Sequence, residues 1–223
     1  MADKPIEVLT GEIPTFSVIW LHGLGADGTD FVGVLPELGL PEGLAGRFIF
    51  PHAPFMPVTC NGGYVMRAWY DIISLAPTDR RVDRDGLLAS CESVRQLIAR
   101  EVTRGIPARC IFIAGFSQGG AVAYTTALRH PEALGGVIAL STYIPATDLL
   151  LDAAAGANGS LPMFAAHGTQ DDVVSLELGL KAREFLEAQG FRPEWHAYPM
   201  PHSVCLEEVQ AIGAWLRGLL AES

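Results

Sequence analysis

Residue types that cooperate in acyl transfer stand at turns in the later half of this chain: a hydroxyl at Ser117, carboxylates at Asp171 and Asp172, and an imidazole at His202. Ser117 sits within Gly115-Phe116-Ser117-Gln118-Gly119, a G-x-S-x-G stretch. Alone, that pattern is weak, because this chain's glycine and serine usage produces it by chance about one time in ten. Its setting gives it force. The apolar run ending at Ala114 suits a strand and the alanine-rich run from Gln118 suits a helix, leaving almost no residues for the reversal. Ser117 must then take a strained backbone, and side chains at Gly115 or Gly119 would collide. Such a turn lifts the serine oxygen clear of the backbone. The plainer reading is a tight strand-to-helix connection with the serine as N-cap; the carboxylate, imidazole and glycine-flanked backbone at the ends of the other strands weigh against it.

A serine hydroxyl is a poor nucleophile and needs an adjacent base, itself oriented by a carboxylate. In alternating α/β chains with this turn the order is Ser, then Asp or Glu, then His. His196 and His202 both come after a late carboxylate. His196 lies inside a strand-like run between Trp195 and Ala197, whereas His202 falls in the loop after that run, where it can reach across a sheet. Placement therefore favours His202. Asp171 and Asp172 are neighbours that cannot both face one imidazole, and the sequence alone gives Asp171 only a small edge. Negative charge on the former carbonyl oxygen calls for fixed N–H donors. Gln118, at a helix start, is one candidate. Leu24 is the second, since Gly23 and Gly25 let its backbone approach closely. His22 and His167, each before a glycine, read as structural hydrogen-bonding residues. No G-x-G-x-x-G opens the first turn and no G-K-[ST] occurs, so nucleotide binding is not indicated.

Positioning these groups requires strands and helices in alternation. Strands are predicted at Phe16 to Leu21, Arg47 to Phe50, Cys110 to Gly115, Gly136 to Leu140, Pro162 to Ala166 and Pro193 to Tyr198. Leu87, Cys91, Val94 and Ile98 step at helical spacing, and that helix ends before Gly105 and Pro107. Further helices are predicted from Gln118 to about Arg129, from Leu176 to Ala188 and from about Ser203 to Leu220. A short one after Gly25 would be capped by Thr29 or Asp30. Ala53 to Arg80 reads as an irregular functional excursion carrying Trp69 and Tyr70. Strands apolar on both faces imply a mainly parallel sheet with helices on each side, and ligands bind beyond the carboxyl ends of such strands.

At 223 residues the expectation is one domain over residues 1–223. The composition, 49% hydrophobic and 18% charged, is that of a globular chain. A formal charge of −10 repels phosphate backbones and anionic membrane surfaces, so nucleic acid is not an expected partner. Four scattered cysteines indicate neither a disulfide framework nor a zinc site. The opening stretch MADKPIEVLTGEIP has neither the basic segment nor the apolar run of a signal peptide, so a cytoplasmic location without membrane insertion is expected.

The motifs together resemble those of the small α/β-hydrolase carboxylesterases, a group that includes bacterial carboxylesterase II, acyl-protein thioesterases and lysophospholipases. The resemblance rests on W-L-H-G-L-G-A-D at Trp20 to Asp27, N-G-G-Y and W-Y-D-I between Asn61 and Ile72, and A-G-F-S-Q-G-G-A-V at Ala114 to Val122. L-S-T-Y at Leu140 to Tyr143, H-G-x-x-D-D-V-V at His167 to Val174 and I-G-A-W-L at Ile212 to Leu216 extend it over nearly the whole chain. It implies an α/β-hydrolase fold without a separate cap domain, with Ser117 as nucleophile, Asp171 as orienting acid, His202 as base, and the N–H groups of Leu24 and Gln118 as the oxyanion hole. It implies a serine carboxylesterase acting on short- to medium-chain esters, with thioesterase or lysophospholipase action as alternatives. No metal or cofactor is implied, and members often form homodimers. A non-catalytic ligand-binding protein on the same scaffold is the rival from another class. Leu24, Trp69, Ile73 and Leu75 are the expected walls of an acyl groove. The chain departs from the common pattern at Pro201, before His202, and at Met66-Arg67-Ala68, where M-P-S is frequent.

Overall fold

Phe16–Leu21 is buried along its whole length, which a strand tolerates only where both faces of its sheet are covered. In the computed structural model, which describes residues 3–76, 79–153 and 156–221 and leaves the side chains of 75, 76, 79 and 80 undescribed, that segment is β2. It comes after β1 (Ile6–Leu9) and precedes β3 (Gly46–Phe50). Two hairpins come next, β4 (Phe55–Val58) with β5 (Tyr64–Arg67) and β6 (Ile72–Ala76) with β7 (Asp79–Val82). The remaining order is α1 (Arg84–Thr103), β8 (Ile111–Phe116), α2 (Gln118–Arg129), β9 (Gly136–Leu140), β10 (Met163–Gly168), α3 (Leu176–Ala188), β11 (Glu194–Tyr198) and α4 (Leu206–Ala221).

The central sheet runs β1-β3-β2-β8-β9-β10-β11. Only β1 is antiparallel to its neighbour; every other pairing is parallel. Alternation along each strand feeds two cores. Ile19, Leu21, Ile111 and Ile113 point towards α1 and α2, while Val18, Trp20, Phe112 and Ala114 point towards α4. Because β8 occupies the middle of the sheet, the turn after it stands at the centre of the carboxyl edge, the position where ligands meet such sheets.

Two sequence expectations are corrected. Residues 53–80 are not irregular, since their described portions form the two hairpins; interrupting prolines and glycines conceal the alternation that marks strands. The segment after Gly25 becomes a 3-10 helix at Val32–Leu38 whose N-cap, Phe31, makes no side-chain cap bond. Thr29 and Asp30 therefore do not cap it. Among the described residues no helix is long and apolar enough to cross a membrane.

Among the described residues two glutamates are fully buried, with opposite consequences. Glu101 accepts hydrogen bonds from Ser17 Oγ at 2.7 Å and from Arg47 Nη1 at 2.5 Å, and so ties α1 to β2 and β3. Glu208, in the first turn of α4, has no hydrogen-bond partner of normal geometry at either oxygen within the described residues. Burial pushes its carboxyl from 4.5 up to about 8, against a smaller opposing pull from the Cys205 backbone. Between those values the folded chain keeps a proton that the unfolded chain has released. Stability is therefore complete below the lower value and is lost as pH rises through the window, by at most about 1.4 kcal/mol per pH unit. Glu208→Gln keeps the neutral shape and is expected to flatten this slope: in thermal unfolding it should match the parent near pH 5 and exceed it at pH 8. Parallel Tm-against-pH curves for the two proteins would refute the assignment.

Candidate active site

β8 ends at Phe116 and α2 begins at Gln118, so Ser117 alone makes the reversal. Its φ of 54° and ψ of −118° lie on the side of the backbone map that residues with a Cβ avoid, at a cost of order 1–3 kcal/mol. β9 and the residues after it hold the strained turn. The Ser117 N–H donates to Leu140 O at 2.9 Å, and the Thr142 hydroxyl donates to Ser117 O at 2.6 Å. A Cβ at Gly115 would stand 2.3 Å from Gly119 O, and one at Gly119 would stand 2.5 Å from Leu21 O. The flanking glycines thus permit close backbone crossing, and both the strain and the collisions expected from the sequence are present.

His202 lies between β11 and α4 with its side chain 15% exposed. Its Nε2 is 2.9 Å from Ser117 Oγ and its Nδ1 is 2.6 Å from Asp171 Oδ2. Asp171, in the turn after β10, has a fully buried side chain. Its Oδ1 accepts from the N–H groups of Val173 at 2.9 Å and Val174 at 2.8 Å. Burial by itself raises this carboxyl. The His202 hydrogen bond and the two backbone N–H groups outweigh burial and hold it below the ordinary carboxylate value. An ionised Asp171 accepts from Nδ1–H, which leaves the Nε2 lone pair facing the serine hydroxyl. Asp172 is exposed.

The loop containing Pro201 presents His202 without distortion of that line. Ser203 N–H donates to Pro201 O at 2.8 Å, and Gly168 lets the loop close on β10, since a Cβ there would lie 2.5 Å from Pro201 O. The Phe116 ring packs against the imidazole with centroids 4.6 Å apart. His22 and His167 play the structural parts expected of them. His22 Nε2 accepts from Ala53 N–H at 3.0 Å, and burial pulls its pKa down to about 4. His167 Nε2 donates to Val174 O at 2.7 Å and is likewise pulled down by burial.

A cavity of about 220 Å³ opens at Ser117, walled by Leu24, Asp30, Ile72, Tyr143, Val173 and Val174 among others. Leu24 and Gln118 both border it, and within the described residues no protein acceptor takes either backbone N–H. The Gln118 side chain is engaged elsewhere. Its Oε1 accepts from Trp69 N–H at 2.8 Å and its Nε2 donates to Tyr70 O at 2.7 Å, so it clamps the bend between β5 and β6 beside the serine turn.

Three expected groove walls fare differently from Leu24. Trp69 does not line the cavity at Ser117: its indole N–H donates to His22 O at 2.8 Å, and its buried ring borders a separate cavity. Ile73 is 43% exposed and also absent from the wall; it stands where the β6–β7 register shifts, and its buried neighbour Ile72 borders the groove instead. The side chain of Leu75 lies outside the described residues. Arg67 also borders the separate cavity and not the serine groove. Asp30, Tyr143, Val173 and Val174 were not anticipated as walls; only the Val-Val pair directly after the two aspartates offered a sequence signal. Among the described residues no group of three or more His, Cys, Asp or Glu side chains is arranged to hold a metal ion.

Comparisons with known proteins find relatives along nearly the whole chain. The profile of the Phospholipase/Carboxylesterase family matches residues 8–220. Acyl-protein thioesterase 1 of Yarrowia lipolytica is 39% identical over 212 residues, covering 93% of each chain. Carboxylesterase SOBER1 of Arabidopsis thaliana is 34% identical over 208 residues, covering 92% of this chain and 91% of its own. The SOBER1 crystal structure superposes with a TM-score of 0.83 at 32% identity over 92% of this chain and 99% of that one. Zea mays acyl-protein thioesterase 2 gives 0.85 at 28% identity over 97% and 99%. A strained serine at the centre of an α/β-hydrolase sheet and a match that spans both ends of that sheet lead to one conclusion: the chain belongs to the phospholipase/carboxylesterase family of serine hydrolases.

Proposed function

We propose that this chain, acting as one domain over residues 1–223, hydrolyses short- to medium-chain carboxylic esters through an acyl-enzyme on Ser117. The observation that carries the reading is the unbroken line from Asp171 through His202 to Ser117, 2.6 Å and 2.9 Å long. Ser117 Oγ attacks the carbonyl carbon as His202 Nε2 takes its proton. The oxyanion that forms is met by the N–H groups of Leu24 and Gln118. His202 then gives the proton to the leaving alkoxide, and the alcohol departs. Water, deprotonated by the same nitrogen, attacks the acyl-enzyme, and the acid leaves as Ser117 regains its proton.

Cavity size supports the chain-length preference. At about 220 Å³ the cavity at Ser117 is small beside the usual ligand pocket of roughly 300–1,000 Å³. Thioester cleavage is a second reading, favoured by relatives named acyl-protein thioesterase 1. A p-nitrophenyl ester series from acetate to palmitate, run beside the matching acyl thioesters, tests both. The expected result is a kcat/KM maximum at short to medium acyl chains with a fall towards palmitate, as a small cavity requires. A monotonic rise to palmitate, or turnover of thioesters alone, replaces the ester reading with the thioesterase one. Failure of a fluorophosphonate to label Ser117 overturns both and leaves a binding protein.

A further inference from the structure

The cavity behind Trp69 shares no lining residue with the groove at Ser117, and at about 820 Å³ it is nearly four times larger. It lies between the chain after β3, the β4–β5 hairpin and α1. Most of its wall is apolar, with Pro51, Phe55, Met56, Trp69, Val94 and Leu97 contributing. Two cations, Arg67 and Arg100, also border it. Arg67 is fixed in place: its side chain is 16% exposed, its guanidinium lies 4.4 Å above the Phe55 ring, and Nη1 donates to Ala53 O at 2.7 Å. What remains is an edge at Nη2, and a carboxylate already sits on it. That carboxylate is Asp3 Oδ2, at 2.5 Å, on a side chain 56% exposed. Arg100 pairs with Glu7 at 2.7 Å, and its Nε is buried without a hydrogen bond.

We infer that this cavity is a second binding site, for a medium-chain aliphatic monocarboxylate whose head takes the place of Asp3 on Arg67 and whose tail lies along the apolar wall. The size is that of a ligand pocket. Asp3, 56% exposed, keeps its side of the pair open to water and so binds Arg67 only modestly; a free carboxylate that also buries a hydrocarbon tail displaces it. Occupancy reaches the serine through Trp69. Ser90 in the cavity wall donates to Trp69 O, and Trp69 N–H is held by Gln118, the residue next to Ser117. The kinetic consequence rests on the proposed hydrolysis, whose acid product is of this chemical class; the binding does not.

Calorimetric titration of sodium decanoate tests the site on the unmodified protein and on protein whose Ser117 has been blocked by an alkyl fluorophosphonate. The expected result is one saturable equivalent in both, with decanol at least about tenfold weaker. Arg67→Met should weaken decanoate by about tenfold, and Asp3→Asn should tighten it several-fold by removing the resident competitor. Ala89→Trp, which fills the cavity, should abolish binding; circular dichroism checks its fold, and Arg67→Met serves if it does not fold. Decanoate should lower turnover of p-nitrophenyl acetate to a plateau above zero without competing with substrate. Loss of binding on blocking Ser117, purely competitive inhibition, equal affinity for decanol, or indifference to Arg67→Met each overturns the proposal. An enzyme that resists the fluorophosphonate, read by intact mass, counts against the hydrolytic reading, and titration of the unmodified protein and its Arg67→Met variant then decides this site.

Discussion

Ser117→Ala is expected to lower kcat on p-nitrophenyl butyrate by on the order of 10⁴-fold or more, about 5.5 kcal/mol of transition-state stabilisation. In the proposed mechanism only Ser117 Oγ forms the acyl-enzyme. The groups left behind, His202 and the N–H groups of Leu24 and Gln118 proposed as oxyanion donors, should still polarise a bound carbonyl and allow slow direct attack by water. Folding should survive the change. Alanine keeps the Cβ, so the strain at φ 54° is neither relieved nor increased. The backbone bonds from Ser117 N–H to Leu140 and from Thr142 to Ser117 O are untouched, and the hydroxyl that is lost meets only a partly exposed imidazole. Tm is therefore expected to stay within a few degrees of the parent. A well-folded variant with near-normal turnover would show that the strained serine is architectural and that the nucleophile lies elsewhere.

The elements around Ser117 were legible because strong signals coincide there. Apolar runs, an alanine-rich helix and punctuating glycines set the bounds of α2, β9 and α3, and those bounds appear in the structure at the residues read from the chain. Where signals conflict, reading failed. Residues 53–80 mix β-formers with Pro54, Pro57, Gly62 and Gly63, and the breakers hid two hairpins. β1 went unread because four residues with alternate ones exposed carry little pattern. Ile73 is a different case: it stands where the β6–β7 register shifts, between Ile72 and Ser74, and a segment read as irregular gives no sign of which of two adjacent isoleucines turns inward. Trp69 was misassigned because an aromatic in a loop announces burial but not which cavity it will face. Asp30 and Tyr143 reach the groove from separate strand ends, a meeting that depends on topology and has no local mark.

The choice between Asp171 and Asp172 also lay beyond spacing, and the structure turns it into a sharp expectation for Asp171→Asn. The two backbone N–H groups of Val173 and Val174 both address Oδ1, so an amide placed here must set its oxygen there. Its NH₂ then occupies the Oδ2 position, 2.6 Å from His202 Nδ1. A donor now faces Nδ1, which must become the acceptor, and the imidazole proton moves to Nε2, opposite the Ser117 hydroxyl. The base is blocked by its own tautomer although every heavy atom keeps its place. kcat is expected to fall by about 10³- to 10⁴-fold with KM little changed, because the loss falls on the transition state and not on ground-state binding. Asp172→Asn, on an exposed neighbour, should leave kcat within about twofold, as surface changes away from a site usually do. Steady-state kinetics on both variants, with Tm measured alongside, separates the outcomes. If Asp171→Asn loses stability but not kcat, Asp171 serves only to build the turn after β10.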